Sequence, residues 1–331
     1  MTITPDDADR ILGLRARGKS VDAEYSELDW DQLYKLAEEV LGWDHNTTLK
    51  EFCSAAKEVE DVHVGCGNKP KILRSFKLKN LKDKFENTVQ KVKDGLVMDA
   101  TKINQTADAY LLHTLGRIIF PDHTGKKVSA QYLQFVKDLS KFHEYAWGSA
   151  CVAFLLHSIS TASRLDLGNI EGNFSLFQVW VYDHFPKLKL STPIEVAEDT
   201  FPTSAKYEFK DYNKRDKFDK IISLREKLDS LDGHDVEFEP YNTTVEEDEF
   251  VEEEDIPLGM YYGPLFYPGG YVIFDPRRVL RKFGFIQTVP YDDNQKFKLL
   301  LKGGKVTKST TSFWKPKYDP DAIVYSLERN G

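Results

Sequence analysis

The sequence predicts a mainly α-helical protein, a compact multi-helix domain with a small mixed β part at its C-terminal end. Three observations predict this fold class. Apolar residues recur at the three- and four-residue spacing of helices through the first half of the chain. Residues that start and stop helices flank these segments. Two short apolar runs flank Gly303 and Gly304, which is typical of a β-hairpin.

The first predicted helix lies at the N-terminus. Thr4 can cap it, and Pro5 suits the first helical position. Asp7 stands where a capping box places its acid, so the helix start is specified twice. Gly13 is expected to end this short helix, because glycine adopts the left-handed conformation common after a last helical turn.

Apolar periodicity predicts the remaining helices of the core. The pattern favours helices over residues 30–41, after the capping-box pair Thr48 and Glu51, along a stripe of Leu81, Phe85, Val89 and Val92, and over 110–120, 129–139, 145–156 and 174–185. Residues 145–156 are apolar or small on nearly every side, which predicts a helix buried all round.

Changes in composition along the sequence divide the chain into three parts. Residues 1–186 are predicted to form the helical core, 187–255 a polar connection with one charged helix and an acidic loop, and 256–331 a C-terminal mixed α/β part. Residues 260–274 are too aromatic to leave in water, so we expect the third part to pack on the core.

Composition excludes several protein classes. The chain has 331 residues, of which 41% are hydrophobic, enough for a folded interior. Its three cysteines are too few for a disulfide framework, and its first residues lack the features of a secretory signal. No apolar run reaches the roughly 18 residues that a membrane span needs. We therefore expect a protein of the nucleus or the cytosol, neither secreted nor inserted in a membrane.

The net charge of −8 hides two opposite segments. Residues 246–255 contain eight acidic residues and no basic one, and such a run usually forms a solvated loop. Residues 69–93 contain nine basic residues against Asp83 and Glu86, with aromatic residues between them. This segment could contact nucleic-acid phosphates, or it could be the solvated face of a helix. The candidate contact residues are Lys77, Lys79, Lys82 and Lys84.

Residues 13–20 match the phosphate-binding P-loop pattern, with Lys19 and Ser20 at its end. A true P-loop follows a buried strand and opens a helix, so that backbone amides converge on phosphate. Here a predicted helix precedes the motif, and acidic residues follow it. We therefore favour a helix end followed by a polar turn, with nucleotide hydrolysis through Lys19 as a disfavoured alternative.

Other patterns do not predict a metal or catalytic site. His143 and Glu144 begin like a zinc-protease helix, but Trp147 occupies the position of the second histidine ligand. His63 and Cys66 offer one pair of ligands without a second pair at zinc-site spacing. We accordingly assign no catalytic, metal or cofactor-binding residue.

Several ordered blocks resemble one known family. The blocks are Leu112-x-x-x-Gly116-x-x-x-Phe120-Pro121-Asp122, Tyr132-Leu133 with Leu139, Glu144 to Ala150, Leu176-x-x-x-Trp180, Phe185-Pro186, and Arg277 to Pro290. Their order and spacing are similar to the plant mobile domain, also called the aminotransferase-like plant mobile domain. This family includes the MAIN-like proteins and long-form homologues of a serine/threonine phosphatase. Relatives commonly carry further helices and a strand before Thr4, so the resemblance implies that this chain starts inside the usual family pattern. The family often has glutamine where this chain has Lys282.

The resemblance implies a nuclear protein-interaction module without catalysis. It would take part in gene expression, transposon silencing or genome maintenance, with a phosphatase-like or chromatin partner. Trp147, Gly148 and Trp180 match family positions and are interpreted as core packing. Arg278 also matches, and could bind a partner or pair with a buried acid. A nucleic-acid-binding module of transposon origin, using the basic segment, is the alternative.

Overall fold

The computed structural model describes residues 1–56, 72–95, 98–163, 170–191, 193–194, 200–208, 217–238, 240–241, 261, 263–279 and 282, with the short strands at 301–302 and 305–306. The predicted acidic loop over 246–255, the pair His63 and Cys66, and the start of the basic segment at Lys69 lie outside these residues.

The described chain is mainly helical, which confirms the predicted fold class. Its helices are α1 (Pro5–Leu12), α2 (Trp30–Leu41), α3 (His45–Ala56), α4 (Leu78–Phe85), α5 (Thr88–Lys93), α6 (Ala100–Thr114), α7 (Leu133–Val136), α8 (Leu139–Phe142), α9 (Trp147–Ala162), α10 (Phe174–His184) and α11 (Lys217–Asp229). A π-helical turn, Leu115–Ile119, continues α6. Short 3-10 turns lie at Ala130–Tyr132, Pro186–Leu188, Thr203–Lys206, Gly233–Asp235 and Pro276–Arg278.

The strands form three two-stranded sheets. They are β1 (Ser75–Lys77) with β2 (Lys127–Ser129), β3 (Gly263–Tyr267) with β4 (Gly270–Phe274), and β5 (Leu301–Lys302) with β6 (Lys305–Val306). The last pair is antiparallel and encloses Gly303 and Gly304, which confirms the predicted hairpin. In the first pair, Phe76 lies directly opposite Val128.

The chain forms two compact units. The first comprises residues 1–17, 174–265 and 272–331, and the second comprises residues 18–173 and 266–271. In the first unit α1 packs on α10. In the second, α6 packs on α2 and α4, and β1 packs beside α3.

Aromatic side chains fill the core of the second unit. The rings of Phe52 and Phe76 stack with centroids 5.2 Å apart, and Trp43 meets Phe76 edge-on at 5.3 Å. The small residue Gly116 lets the π-turn approach β2. A Cβ at Gly116 would lie 2.3 Å from the Cβ of Val128, so only glycine fits this position without movement.

Local capping signals predicted several helix ends correctly. The Thr4 hydroxyl accepts from the Asp7 amide at 3.3 Å and the Asp7 carboxylate accepts from the Thr4 amide at 2.7 Å, which confirms the capping box of α1. Gly13 and Gly42 end α1 and α2 with φ near 66°. Helix α9 is buried on most sides, and Trp147, Gly148 and Trp180 are buried as predicted.

Several predicted helix boundaries were wrong. Helix α6 begins at Ala100, ten residues before the predicted start at 110, and α9 continues to Ala162, six residues beyond the predicted end at 156. Thr48 does not start a helix, because the Asp44 carboxylate accepts the Thr47 amide at 2.8 Å and α3 begins three residues earlier. The predicted helix over 129–139 starts at Ser129 as expected. It ends early, because Asp138 accepts the Ser140 amide and begins α8.

A further wrong prediction concerns the stripe from Leu81 to Val92. The structure places it in two helices instead of one, with Asn87 between them at φ 59°. Asparagine tolerates this left-handed conformation better than most residues, so the chain turns there. Leu81 is buried, whereas Val92 is exposed.

Candidate interaction surface

The four lysines predicted to contact nucleic acid do not share one face. They are Lys77 at the end of β1 and Lys79, Lys82 and Lys84 in α4. Successive residues of a helix are about 100° apart, so Lys82 and Lys84 diverge by about 200°. The buried side chains of Leu78 and Leu81 anchor the helix between these two directions.

Lys82 and Lys84 have different surroundings. The ammonium of Lys84 lies 4.3 Å from the ring centroid of Trp43, a cation–π contact. The Lys82 side chain is 64% exposed, and its ammonium lies 3.8 Å from a carboxylate oxygen of Glu86. Lys79 is exposed and Lys77 is half-buried. Lys84 therefore has a packing contact, whereas Lys82 keeps most of its surface in water.

Helix α6 and its π-turn bring two further basic groups to Lys82. Burial lowers the pKa of His113, and the positive charges of Arg117 and Lys82 lower it further, so both cations lie near this imidazole. The Arg117 guanidinium donates to the carbonyl oxygen of Gly125 at 2.9 Å. We name Lys82, His113 and Arg117 the α4–α6 basic surface. Sequence analysis missed its second half, although His113 and Arg117 have helical i, i+4 spacing.

The P-loop-like segment has another geometry. Helix α1 precedes it, and residues 13–29 contain no helix. The segment therefore has no helix N-terminus whose backbone amides could converge on phosphate. The Lys19 amide donates to the carbonyl oxygen of Glu144 at 2.7 Å, and its ammonium pairs with Glu24. A Cβ at Gly18 would lie 2.3 Å from the Glu144 carbonyl oxygen, so this glycine serves a close backbone approach. The favoured interpretation of Gly13 as a helix end is confirmed.

The segment that begins like a zinc-protease helix is part of the core. The Trp147 indole donates to the carbonyl oxygen of Phe142 at 2.8 Å, and its ring meets Phe135 edge-on at 5.5 Å. Within the described residues, no group of three histidine, cysteine, aspartate or glutamate side chains is arranged to hold a metal ion.

Arg278 ends the 3-10 turn Pro276–Arg278 and is exposed. Its neighbour Arg277 forms the ion pair of this turn, with 2.9 Å between a guanidinium nitrogen and a carboxylate oxygen of Asp275. In the part of the chain that the structure describes, Arg278 has no ion pair. Partner contact through Arg278 therefore stays a prediction.

The most buried ionic group lies in the first unit. Asp7 is fully buried, and its carboxylate pairs with the ammonium of Lys282, a side chain that is 5% exposed. The Lys282 ammonium also donates to the Thr4 hydroxyl at 3.2 Å. The second partner is His184, whose Nε2 lies 3.5 Å from the carboxylate and whose Nδ1 lies 2.7 Å from the carbonyl oxygen of Glu237. We name Thr4, Asp7, His184 and Lys282 the buried ionic cluster.

The charges of this cluster fix the ionisation of Asp7. Burial alone would raise the pKa of its carboxyl group, but the Lys282 charge and the interactions of His184 outweigh it and lower the pKa to about 2. Asp7 is therefore ionised at neutral pH. The cluster joins α1 to α10 and to Lys282, so its geometry indicates a structural tie within the first unit.

A sequence model of the family described as "Plant mobile domain" matches residues 1–327. The chain belongs to the plant mobile domain family. Protein MAIN-LIKE 1 of Arabidopsis thaliana is 31% identical over 243 residues, which cover 73% of this chain and 41% of that protein. Protein MAINTENANCE OF MERISTEMS of the same plant is 30% identical over 182 residues, covering 55% of this chain and 37% of that protein.

A third relative of this plant mobile domain chain is the serine/threonine-protein phosphatase 7 long form homolog of Arabidopsis thaliana. It is 22% identical over 314 residues, which cover 89% of this chain and 21% of that protein. The chain thus spans less than half the length of each of these relatives. No solved structure matches it.

Lys282 supplies the main counter-charge of the buried Asp7 in this plant mobile domain chain. Among the described residues, no helix is long and apolar enough to cross a membrane.

Proposed function

We propose that this plant mobile domain protein is a non-catalytic, nuclear protein-interaction module with a phosphatase-like or chromatin-associated partner. The proposal rests on one observation: the side chains that could take part in chemistry are held by ion pairs within the protein. Lys19 is held by Glu24, and Asp7 binds both Lys282 and His184 inside the first unit. Groups held in this way stabilise a scaffold, and the exposed surface is left for recognition.

The relatives support the same class of function. Two of them are named for the MAIN proteins and for meristem maintenance, and a third is named as a long-form phosphatase homologue. A chain that shares this domain fits a role in gene expression, transposon silencing or genome maintenance. Arg278 is the candidate partner-binding residue, because it is exposed beside the fixed ion pair of Arg277 and Asp275.

Affinity capture from plant nuclear extract tests this proposal. We expect the tagged chain to retain a phosphatase-like or chromatin protein, and Arg278→Glu to reduce the captured amount about tenfold, as for an arginine that contributes about 1.4 kcal/mol to binding. The matched control is Arg225→Glu on the exposed side of α11. Equal capture by the two variants would remove Arg278 from the interface. Retention of neither kind of partner would contradict the proposed function.

The α4–α6 basic surface supports a second candidate function, binding of nucleic acid. Tyr110 stands three residues before His113 on α6 and is 73% exposed. Exposed aromatic rings stack with bases, and neighbouring cations attract phosphates. Of the four predicted lysines, Lys82 belongs to this surface, whereas Lys84 packs on Trp43.

Fluorescence anisotropy with single-stranded RNA and with duplex DNA tests this second candidate. We expect binding that weakens as salt increases, and a double variant Lys82→Glu/Arg117→Glu whose salt dependence has a slope smaller by about two, one for each lost phosphate contact. The control is Lys91→Glu at an exposed position of α5. It makes the same charge change as each single substitution of the double variant. If the double variant and the wild type bind alike, the α4–α6 basic surface is not a nucleic-acid site.

A further inference from the structure

Residues 25–29 of the second unit, which we name the extended segment, run up to the start of α2 without a turn or bend. Asp29 at their end has φ −75° and ψ 179°. Two glutamine side chains hold one edge of this segment. The Gln134 side chain accepts the Ser26 amide at 3.0 Å and donates to the Ser26 carbonyl oxygen at 3.2 Å. Gln131 binds Leu28 in the same way, at 2.9 Å and 3.0 Å.

The two glutamines take the place of a neighbouring strand. A side-chain amide offers one acceptor and two donor hydrogens, so it can satisfy both backbone groups of one residue, as a paired residue in an antiparallel sheet does. Alternate residues of a strand direct these groups to the same edge. Because Ser26 and Leu28 are bound by the glutamines, the backbone groups of Tyr25 and Glu27 face the opposite edge.

This opposite edge is open. Among the described residues, nothing forms a hydrogen bond with the amides or the carbonyl oxygens of Tyr25 and Glu27. Ser26 and Glu27 are exposed, and the Glu27 side chain keeps 81% of its surface in water. A row of unpaired amides and carbonyl groups on an exposed extended segment is a template for another strand.

Side-chain contacts hold the extended segment in place on both sides of Ser26. The Tyr25 ring stacks on Phe135 with centroids 5.9 Å apart. The Glu27 carboxylate lies 3.4 Å from a guanidinium nitrogen of Arg74. Together with the two glutamines, these contacts fix the backbone before any partner arrives. An edge that is already formed loses less conformational freedom on binding, which favours affinity.

The charge around the extended segment is negative. Residues 20–34 contain five acidic residues and no basic one. Lys19 pairs with Glu24 and Arg74 with Glu27. The other three acids have no ion pair in the part of the chain that the structure describes; they are Asp22, Asp29 and Asp31. The crevice beside α2 has two lysines and two glutamates in its walls and adds little net charge. This surface therefore favours a basic partner over an acidic one.

We propose that the open edge of the extended segment binds a basic, extended peptide of a protein partner by strand addition. The peptide backbone lies about 4.8 Å from the segment and exchanges hydrogen bonds with Tyr25 and Glu27. Its lysine or arginine side chains meet the acidic residues of the segment. The inference rests on the proposed protein-interaction function and names the chemistry of the partner. The edge does not include Arg278.

Fluorescence anisotropy of the full chain with three labelled eight-residue peptides tests the proposal. In the first peptide lysine alternates with valine. The second has the same sequence with N-methylated backbone amides, which keeps the charge and removes the donors. In the third, glutamate replaces lysine. We expect saturable binding of the first peptide, and binding at least about tenfold weaker for the second and the third, because each lacks one of the two interactions.

Two variants at one position separate the backbone from the charge. Glu27→Pro removes the open amide without breaking an existing hydrogen bond, and proline suits an extended conformation. We expect it to weaken binding of the lysine–valine peptide at least about tenfold and to leave the denaturation midpoint unchanged. Glu27→Gln, the matched control, removes the same charge and keeps the amide, so the loss should not exceed about threefold. In the wild type, bound peptide should slow hydrogen exchange of the Tyr25 and Glu27 amides.

Each contrary outcome overturns the inference. Equal binding of the N-methylated peptide would show that charge attraction alone is measured, and equal binding of the glutamate peptide would remove the charge complementarity. Equal binding by Glu27→Pro and Glu27→Gln, or unchanged exchange at the Tyr25 and Glu27 amides, would exclude the edge as the site. If the lysine–valine peptide fails to bind while the wild type still captures its nuclear partner, the edge is rejected and the proposed function stands.

Discussion

Asp7→Ala is expected to lower the free energy of unfolding by about 3–5 kcal/mol, because it leaves the Lys282 ammonium buried without its counter-ion. Lys282 is 5% exposed, so water cannot replace the carboxylate without local opening. The same change removes the acid of the α1 capping box, which adds about 1 kcal/mol. Urea denaturation followed by tryptophan fluorescence measures the loss.

Two control variants separate charge from capping. Asp7→Asn keeps an oxygen that can accept the Thr4 amide, so we expect it to retain the cap and still lose most of the stability. Asp29→Ala removes the acid that caps α2 at an exposed position, and should cost only about 1 kcal/mol. If Asp7→Asn is as stable as the wild type, the ion pair with Lys282 contributes nothing, and the structural role of the cluster is wrong.

The difference in stability between the wild type and Asp7→Asn should change with pH in a defined direction. The folded-state pKa of Asp7 is about 2, below its ordinary value of 3.8, so its ionised form stabilises the folded protein. This contribution is complete above about pH 4 and is lost as the pH falls toward 2. The difference between the wild type and Asp7→Asn should therefore shrink over that interval. A difference that stays constant would show that charge is not its cause.

Features encoded by neighbouring residues could be predicted from the sequence. The capping box of Thr4 and Asp7 and the glycine that ends α1 lie within ten residues, and each acts through a backbone group close in the chain. The buried helix α9 was equally predictable, because its composition alone requires apolar surroundings. The wrong boundaries at Thr48 and Asn87 arose where a nearby asparagine or aspartate offered a competing local hydrogen bond or backbone conformation.

Features that join distant residues could not be predicted in this way. Asp7 meets Lys282 across 275 positions, and no periodicity links the two. Likewise, His113 and Arg117 were part of a predicted helix, but only tertiary packing places them beside Lys82. The candidate sites of this protein therefore depend on its fold more than on its motifs.

Asp108→Asn is expected to raise the free energy of unfolding at pH 7.5 by about 1–3 kcal/mol. Asp108 is 6% exposed on α6, and its Oδ1 has no hydrogen-bond partner in the described structure. Burial raises the pKa of this carboxyl group to about 6, against 3.8 ordinarily. A difference of one pKa unit corresponds to about 1.4 kcal/mol, so ionisation at neutral pH destabilises the folded state by this order. Asparagine keeps the shape and removes the charge.

The pH dependence of stability due to Asp108 is opposite in sign to that of a carboxylate that stabilises the folded state. A raised folded-state pKa means that the destabilising contribution of Asp108 is absent below about pH 4 and complete above about pH 6. Urea denaturation should thus show the variant and the wild type with similar stability at pH 4 and a more stable variant at pH 7.5. Asp83→Asn, at an exposed position of α4, should change neither value by more than about 0.5 kcal/mol. A stabilisation of equal size at both pH values would mean that shape and hydrogen bonding cause it, whereas a destabilisation at pH 7.5 would show that the Asp108 carboxylate has a favourable partner in the folded protein.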